Sequence, residues 1–207
     1  MKVLSAMVGP IMTNCYILCD ETAGVCAVID PGDEAERVAA LVASSGCKPT
    51  MILLTHGHFD HYTGVAGLLA KWPELPVYIH EADVTDSAGS ELKFPCLGER
   101  NQRYYKEGDI LTLGTLTLRV METPGHSRGS VCLLVEGQGV IFAGDTLFRG
   151  NCGRCDFPGG DYRAMLASLA RLGRLEGQYT VYPGHEEATD MDYERRHNPY
   201  MKQGMAQ

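Results

Sequence analysis

Residues 51–61 read M-I-L-L-T-H-G-H-F-D-H, a short apolar run that ends in four metal-ligating side chains within six residues: His56, His58, Asp60 and His61. The apolar part, Met51 to Leu54, is compact and bounded by polar residues, which predicts a buried strand. Alternate residues leaving a strand end point the same way. His56 and His58 can therefore share one ion, and Asp60 and His61 can face a second. Imidazole and carboxylate are ligands that zinc and its neighbours accept. A single histidine in such a loop is ordinarily a surface or hydrogen-bonding residue. Histidines clustered this tightly would repel one another once protonated, so the group reads as a metal site.

The only internal echo of the chain is Pro-Gly-His, at Pro124 to His126 and again at Pro183 to His185. Both copies follow predicted strands, and a Pro-Gly turn projects the next side chain off the sheet edge. Asp145 ends another strand through Gly144. Five of the seven histidines and two aspartates thus sit just after strand ends, where sites on sheets are built.

The rest of the chain frames these loops. Val3 to Val8, Thr13 to Cys19 and Cys26 to Ile29 read as strands, the third ending at Asp30-Pro31-Gly32. Asp33 is the expected cap of a helix bearing Val38, Leu41 and Val42 and ending at Gly46. A second helix is expected over about Thr63 to Trp72, stopped by Pro73, before a strand at Val77 to Ile79. Glu81 to Lys106, with Gly89, Pro95 and Gly98, reads as a short helix plus a surface loop. Strands resume at Ile110 to Leu113, Leu116 to Thr123, Val131 to Glu136 and Val140 to Ala143. Asp161 then caps an amphipathic helix through Met165, Leu166, Leu169 and Leu172, followed by a strand at Thr180 to Tyr182 and a C-terminal helix. Two meanders, each followed by helices, predict packed sheets with helices outside, within a single domain of 207 residues.

Composition narrows the function. The chain is 44% hydrophobic and 21% charged, as soluble globular proteins are. A net charge of −8 repels phosphate backbones and argues against a nucleic-acid partner. No apolar run approaches the roughly 20 residues of a membrane span. Lys2 precedes an apolar stretch that Gly9-Pro10 interrupts, without a cleavage pattern, so no export signal is expected. Eight cysteines without an organising spacing fit reduced thiols in the cytoplasm.

The motif H-x-H-x-D-H at His56 to His61, followed by distant His, Asp and His, resembles that of the metallo-β-lactamase superfamily. The resemblance runs from Val3 to about Pro199. It implies an α/β fold, the four-layer αβ/βα sandwich of two mixed β-sheets with helices on the outer faces. It also implies two divalent metal ions, zinc first, with iron or manganese as alternatives. By the resemblance, His56, His58 and His126 bind one ion, Asp60, His61 and His185 the other, and Asp145 bridges them. Asp60 also orients a metal-bound hydroxide. Asp30, in I-D-P-G, matches a superfamily aspartate that supports the ligands, and it reads equally as a turn residue.

Within the superfamily, G-D-T-L-F-R-G at Gly144 to Gly150, G-R-x-D-F-P-G-G-D at Gly153 to Asp161 and E-R-R-H-N-P-Y at Glu194 to Tyr200 look like the short glyoxalase II-like hydrolases. The implied activity is hydrolysis of a small-molecule thioester, S-lactoylglutathione or a related acyl thioester, by a hydroxide shared between two ions. Full-length relatives hold glutathione on a C-terminal helical domain that is not expected in this sequence, which leaves the thiol carrier open. A persulfide dioxygenase, a relative with one iron, shares the segment Gly153 to Phe157 and is the nearest rival. A non-catalytic metal-binding module is the alternative from another class.

Other residues carry weaker readings. Arg154 is either an anchor for a substrate carboxylate or a partner of Asp156 or Asp161. Arg149, Asn151 and Tyr182 lie near the predicted site loops and are further substrate-binding candidates. Cys152 and Cys155 form a lone C-x-x-C, read as incidental loop cysteines rather than a zinc or redox pair. His80 and His197 are left outside the ligand set as structural and helix-end histidines.

Overall fold

The computed structural model describes residues 1–85 and 92–207. The first half opens with a meander of β1 (Lys2–Val8), β2 (Thr13–Asp20) and β3 (Val25–Ile29). Helix α1 (Ala35–Ser45), β4 (Lys48–Leu53), the single turn α2 (Phe59–Tyr62), α3 (Val65–Lys71) and β5 (Val77–Ile79) follow. A 3₁₀ turn at Glu81–Asp83, the paired β6 (Val84–Thr85) and β7 (Phe94–Pro95), and β8 (Gln102–Tyr104) complete it. The first sheet has the order β1-β2-β3-β4-β5-β8, antiparallel through β3 and parallel beyond.

The second half runs β9 (Ile110–Leu113), β10 (Leu116–Glu122), β11 (Val131–Val135), β12 (Val140–Gly144), β13 (Leu147–Phe148) and β14 (Asn151–Cys152). It continues with α4 (Tyr162–Gly173), β15 (Thr180–Pro183), β16 (Thr189–Asp190), α5 (Met191–His197) and α6 (Pro199–Met205). The second sheet has the order β16-β15-β12-β11-β10-β9, with β12 and β15 parallel. Three apolar layers hold the sandwich. Alternation along β2 shows why: Cys15, Ile17 and Cys19 face Val38, Val42, Val65 and Leu68 of α1 and α3, while Tyr16 and Leu18 face the second sheet. On the far side, Cys132, Leu134, Ile141 and Val181 pack against Met165, Leu169 and Leu172 of α4 and Met201 of α6. Central strands buried on both faces read as unbroken apolar runs for this reason. This is the expected mixed α/β sandwich with outer helices. No helix among the described residues is long and apolar enough to cross a membrane.

Several local expectations are corrected. Asp33 does not cap α1. The capping position is Glu34, in a left-handed conformation with φ 48°, and Asp33 Oδ1 instead accepts the Glu34 N–H at 2.6 Å. Gly46 ends α1 as expected, with φ 73°. The helix expected over about Thr63 to Trp72 is α3, and the single turn α2 precedes it, set apart at Gly64, whose N–H bonds the Pro31 carbonyl at 2.9 Å. The segment from Glu81 to Lys106, expected as a short helix plus a surface loop, has its helix as the 3₁₀ turn Glu81–Asp83, while Gln102–Tyr104 adds an edge strand to the first sheet. Gly89 lies outside the described residues. The C-terminal helix is broken at Asn198-Pro199, where Asn198 Oδ1 caps α6 by accepting from Tyr200 and Met201 N–H.

Candidate metal centre

Five strand ends converge at one edge of the sandwich: β3 delivers Asp30, β4 the His56–His61 loop, β10 His126, β12 Asp145 and β15 His185. Asp30 is held at φ 50° and is 2% exposed. Its carboxylate accepts the Thr55 N–H at 2.8 Å, the Thr55 hydroxyl at 2.7 Å and His61 Nδ1–H at 3.0 Å. The Thr55 hydroxyl, having donated to Asp30, accepts from His56 Nδ1–H at 3.2 Å. The Arg154 carbonyl, which can only accept, takes His126 Nδ1–H at 2.7 Å. Three imidazoles are thereby fixed in the tautomer whose Nε2 carries the lone pair.

Those three Nε2 atoms, of His56, His61 and His126, are buried and have no hydrogen-bond partner, and neither does Asp145 Oδ1. Orphaned acceptors converging in one place fit a bound cation. Three donor groups have all their ligand atoms within 4.8 Å of one another: His56, His58 and His126; Asp60, His61 and His185; and His56, His61 and Asp145. Asp145 lies between the first two. Its Oδ1 is 3.4 Å from His61 Nε2, and its Oδ2 is 3.4 Å from His126 Nε2 and 3.5 Å from His185 Nε2. Asp60 Oδ2 is 3.2 Å from His185 Nε2 and 3.6 Å from His61 Nε2, and it accepts the Thr13 hydroxyl at 3.0 Å. The donor set fits two borderline divalent ions.

The electrostatics differ between the two triads: around His61, burial is outweighed by the Asp145 and Asp30 carboxylates, which raise the imidazole above its ordinary range, whereas His56 and His58 are held neutral. Burial, then neighbouring His61, holds His56 well below the ordinary imidazole range; burial and His126 push His58 down to about 4. Both are thus neutral, the form that ligates. Burial opposes ionisation of Asp60, yet the His185 and His61 contacts outweigh it and keep the carboxylate charged. Close approach of the strand ends demands glycine. A Cβ on Gly184 would lie 2.2 Å from Asp145 Oδ1 and 2.7 Å from His61 Cε1, and one on Gly153 would lie 1.9 Å from the Asp145 carbonyl oxygen.

A cavity of about 380 Å³ opens over the donors, lined on its polar side by His58, Asp60, His126, Asp145, His185 and Arg154. Its apolar side is Ile11, Phe59, Leu92, Phe148 and Phe157. Of the four substrate candidates only Arg154 lines it. Arg154 is bonded to Asp156 through two contacts of 2.7 and 2.6 Å and stacks 4.1 Å from the Phe157 ring centre. Arg149 instead pairs with Glu187 at 3.3 Å and stacks on Tyr193. Asn151 lines a neighbouring crevice with Cys152 and Cys155, and its carbonyl accepts from Asn198. Tyr182 packs between the sheets against Tyr16 and Phe142, away from the cavity lining. Burial and then Cys155 push the Cys152 thiol up to about 12, so it is not a reactive thiolate. His80 bonds Glu122 at 3.1 Å and caps the 3₁₀ turn, and His197 stacks on Tyr193. The apolar wall was missed in the sequence, although Ile11 beside Pro10 is an apolar residue at a turn tip, 47% exposed.

A two-layer β-sandwich flanked by helices, with a His/Asp donor cluster at one edge, defines a metal-binding α/β fold. The chain belongs to the metallo-beta-lactamase superfamily, whose family model matches residues 8–185. It is 34% identical over 202 residues to a Bacillus subtilis protein named "Probable metallo-hydrolase YqgX", covering 94% of both chains. It is 32% identical to the "Hydroxyacylglutathione hydrolase GloC" of Haemophilus influenzae, covering 91% of this chain and 92% of that one. Among solved structures, "TTHA1623 in a di-iron-bound form" is 36% identical with a TM-score of 0.80, over 95% of this chain and 99% of that one. A "BLEG-1 B3 metallo-beta-lactamase" is 32% identical with a TM-score of 0.84, over 97% and 99%. "ETHE1 from Myxococcus xanthus" is 27% identical with a TM-score of 0.80, over 96% and 84%. The His/Asp donor set suits divalent metals, and one of these relatives holds two irons.

Proposed function

We propose that the chain is a thioester hydrolase of the hydroxyacylglutathione hydrolase type, acting on S-lactoylglutathione or a related small acyl thioester. The observation that carries this reading is the pair of donor triads flanking Asp145 beneath a half-apolar cavity. His56, His58 and His126 would hold one divalent ion, Asp60, His61 and His185 the other, with Asp145 shared. Zinc is the first choice, and iron and manganese suit the same donors. Bound there, the ions would supply a hydroxide nucleophile at neutral pH and would polarise the thioester carbonyl.

The protein's part is positional. Asp30, Thr55 and the Arg154 carbonyl hold the imidazoles in their ligating tautomers. Asp60, itself held by Thr13, orients the attacking oxygen. Ile11, Leu92, Phe148 and Phe157 exclude water from the thioester, and Arg154 offers a cation to a substrate carboxylate. No strong general acid is required, because a thiol of pKa about 8.5 leaves readily as thiolate. The resemblance to a hydroxyacylglutathione hydrolase over nine-tenths of both chains supports the same reading. Eight free thiols fit a reducing, cytoplasmic setting, and a net charge of −8 speaks against a nucleic-acid partner.

The likeness to ETHE1 favours one second reading, a persulfide dioxygenase with a single iron. The experiment that separates them follows loss of thioester absorbance with metal-replete and chelator-treated protein, beside oxygen uptake with glutathione persulfide. Chelator-sensitive thioester loss supports the hydrolase; oxygen uptake without it supports the rival.

A further inference from the structure

The His56–His58 loop leaves the first sheet and the His126 loop leaves the second, so the triad His56, His58 and His126 depends on how the two sheets are spaced at this edge. Asp83, in the 3₁₀ turn after β5, is 2% exposed and bonds both loops. Its Oδ2 accepts the Gly57 N–H at 3.0 Å, between the two histidines, and the Ser127 hydroxyl at 2.6 Å, directly after His126. Its Oδ1 accepts the Gly129 N–H at 2.8 Å. Ser127 is tied in turn to the Ser130 hydroxyl at 2.7 Å. The approach is tight enough to require glycine on both sides: a Cβ on Gly57 would lie 2.4 Å from the Asp83 carbonyl oxygen, and one on Gly129 would lie 2.7 Å from Asp83 Cγ.

We propose that Asp83 is a positioning residue that clamps the His56–His58 loop to the His126 loop and so sets the affinity of the ion those three histidines hold. The inference rests on the dinuclear reading above. A carboxylate is needed because all three partners are donors, and an amide at this position would turn its own N–H₂ against at least one of them. The clamp acts on one triad only. In the other triad Asp60 and His61 are supported from elsewhere, by Thr13 and Asp30.

The test is cobalt(II) titration of the apo protein with visible absorption, competed by a chelator, for the natural chain, Asp83→Asn and Ser127→Ala. The natural chain should take up two ions. Asp83→Asn should lose about 10- to 100-fold in affinity for one ion while keeping the other. Its one-ion spectrum should match that of His126→Ala, which lacks a ligand of the same triad. Ser127→Ala, which keeps both main-chain bonds to Asp83, should weaken the same ion by less. Equal weakening of both ions in Asp83→Asn, or a soluble Asp83→Asn with unaltered affinities, overturns the clamp. Should Asp83→Asn fail to fold, Ser127→Ala decides: selective loss upholds the clamp and unaltered binding overturns it. A natural chain that binds fewer than two ions overturns the dinuclear reading instead.

Discussion

His61 Nδ1 lies 3.0 Å from Asp30 Oδ2, and this contact leaves Nε2 as the nitrogen that faces Asp60 and Asp145. Asp30→Asn keeps the shape and removes an acceptor from a carboxylate that takes three hydrogen bonds. Metal affinity should fall about 10- to 100-fold, with His61 able to flip its tautomer. Isothermal titration of apo protein checks it; an unchanged affinity would show that Asp30 is only a turn residue.

Gly184→Ala places a methyl group against Asp145 and His61. Overpacking of this kind costs about 1–3 kcal/mol and moves ligand atoms that must stay in place. We expect a lowered melting temperature together with loss of bound metal, measured by calorimetry and elemental analysis on the same sample.

Arg154 tests the substrate reading. Its pair with Asp156 is exposed, at 59% and 67%, so Arg154→Ala should cost no more than about 1 kcal/mol of stability. The Arg154 carbonyl that holds His126 is retained in the variant. A charge-assisted contact to a substrate carboxylate would appear as a KM raised about tenfold or more, with kcat much less affected. Steady-state kinetics with S-lactoylglutathione and with a carboxylate-free thioester separate the two roles, because only the first should lose.

Asp20 sets an acid limit far from the metal centre. The Thr115 N–H and hydroxyl donate to it at 2.5 and 2.7 Å, with Thr22 and Ala23 N–H on its other oxygen, and these donors draw its pKa down to about 2. A folded-state pKa below the unfolded value, about 4, adds stability at higher pH. That contribution is lost as pH falls from about 4 towards about 2. Asp20→Asn should therefore melt below the natural chain near neutrality, with the gap closing across that window. Melting curves at a series of pH values report it, and a gap independent of pH would contradict the assignment.

Much of this architecture is legible in the sequence because its central strands are buried on both faces. Residues 13–19, T-N-C-Y-I-L-C, need no partner to read as a strand. The donor residues stand out because ligating side chains crowd one loop and recur after Pro-Gly turns. What stayed hidden depends on long-range contact or on unusual backbone. Asp30 and Glu34 adopt left-handed conformations that residue type does not announce. Asp83 is one acid in E-A-D, and its partners are 26, 44 and 46 residues away. Tyr182 could have been placed correctly by period-two alternation: Val181 faces the α4 side, so its neighbour faces the space between the sheets.

The central claim is a dinuclear centre that hydrolyses a thioester. Turnover of S-lactoylglutathione by apo protein, measured while zinc is added in small equivalents, tests it most directly. A dinuclear hydrolase should show no hydrolysis without metal and a rise that levels off at two ions per chain. Full turnover at one ion, or turnover that persists in chelator, would contradict it.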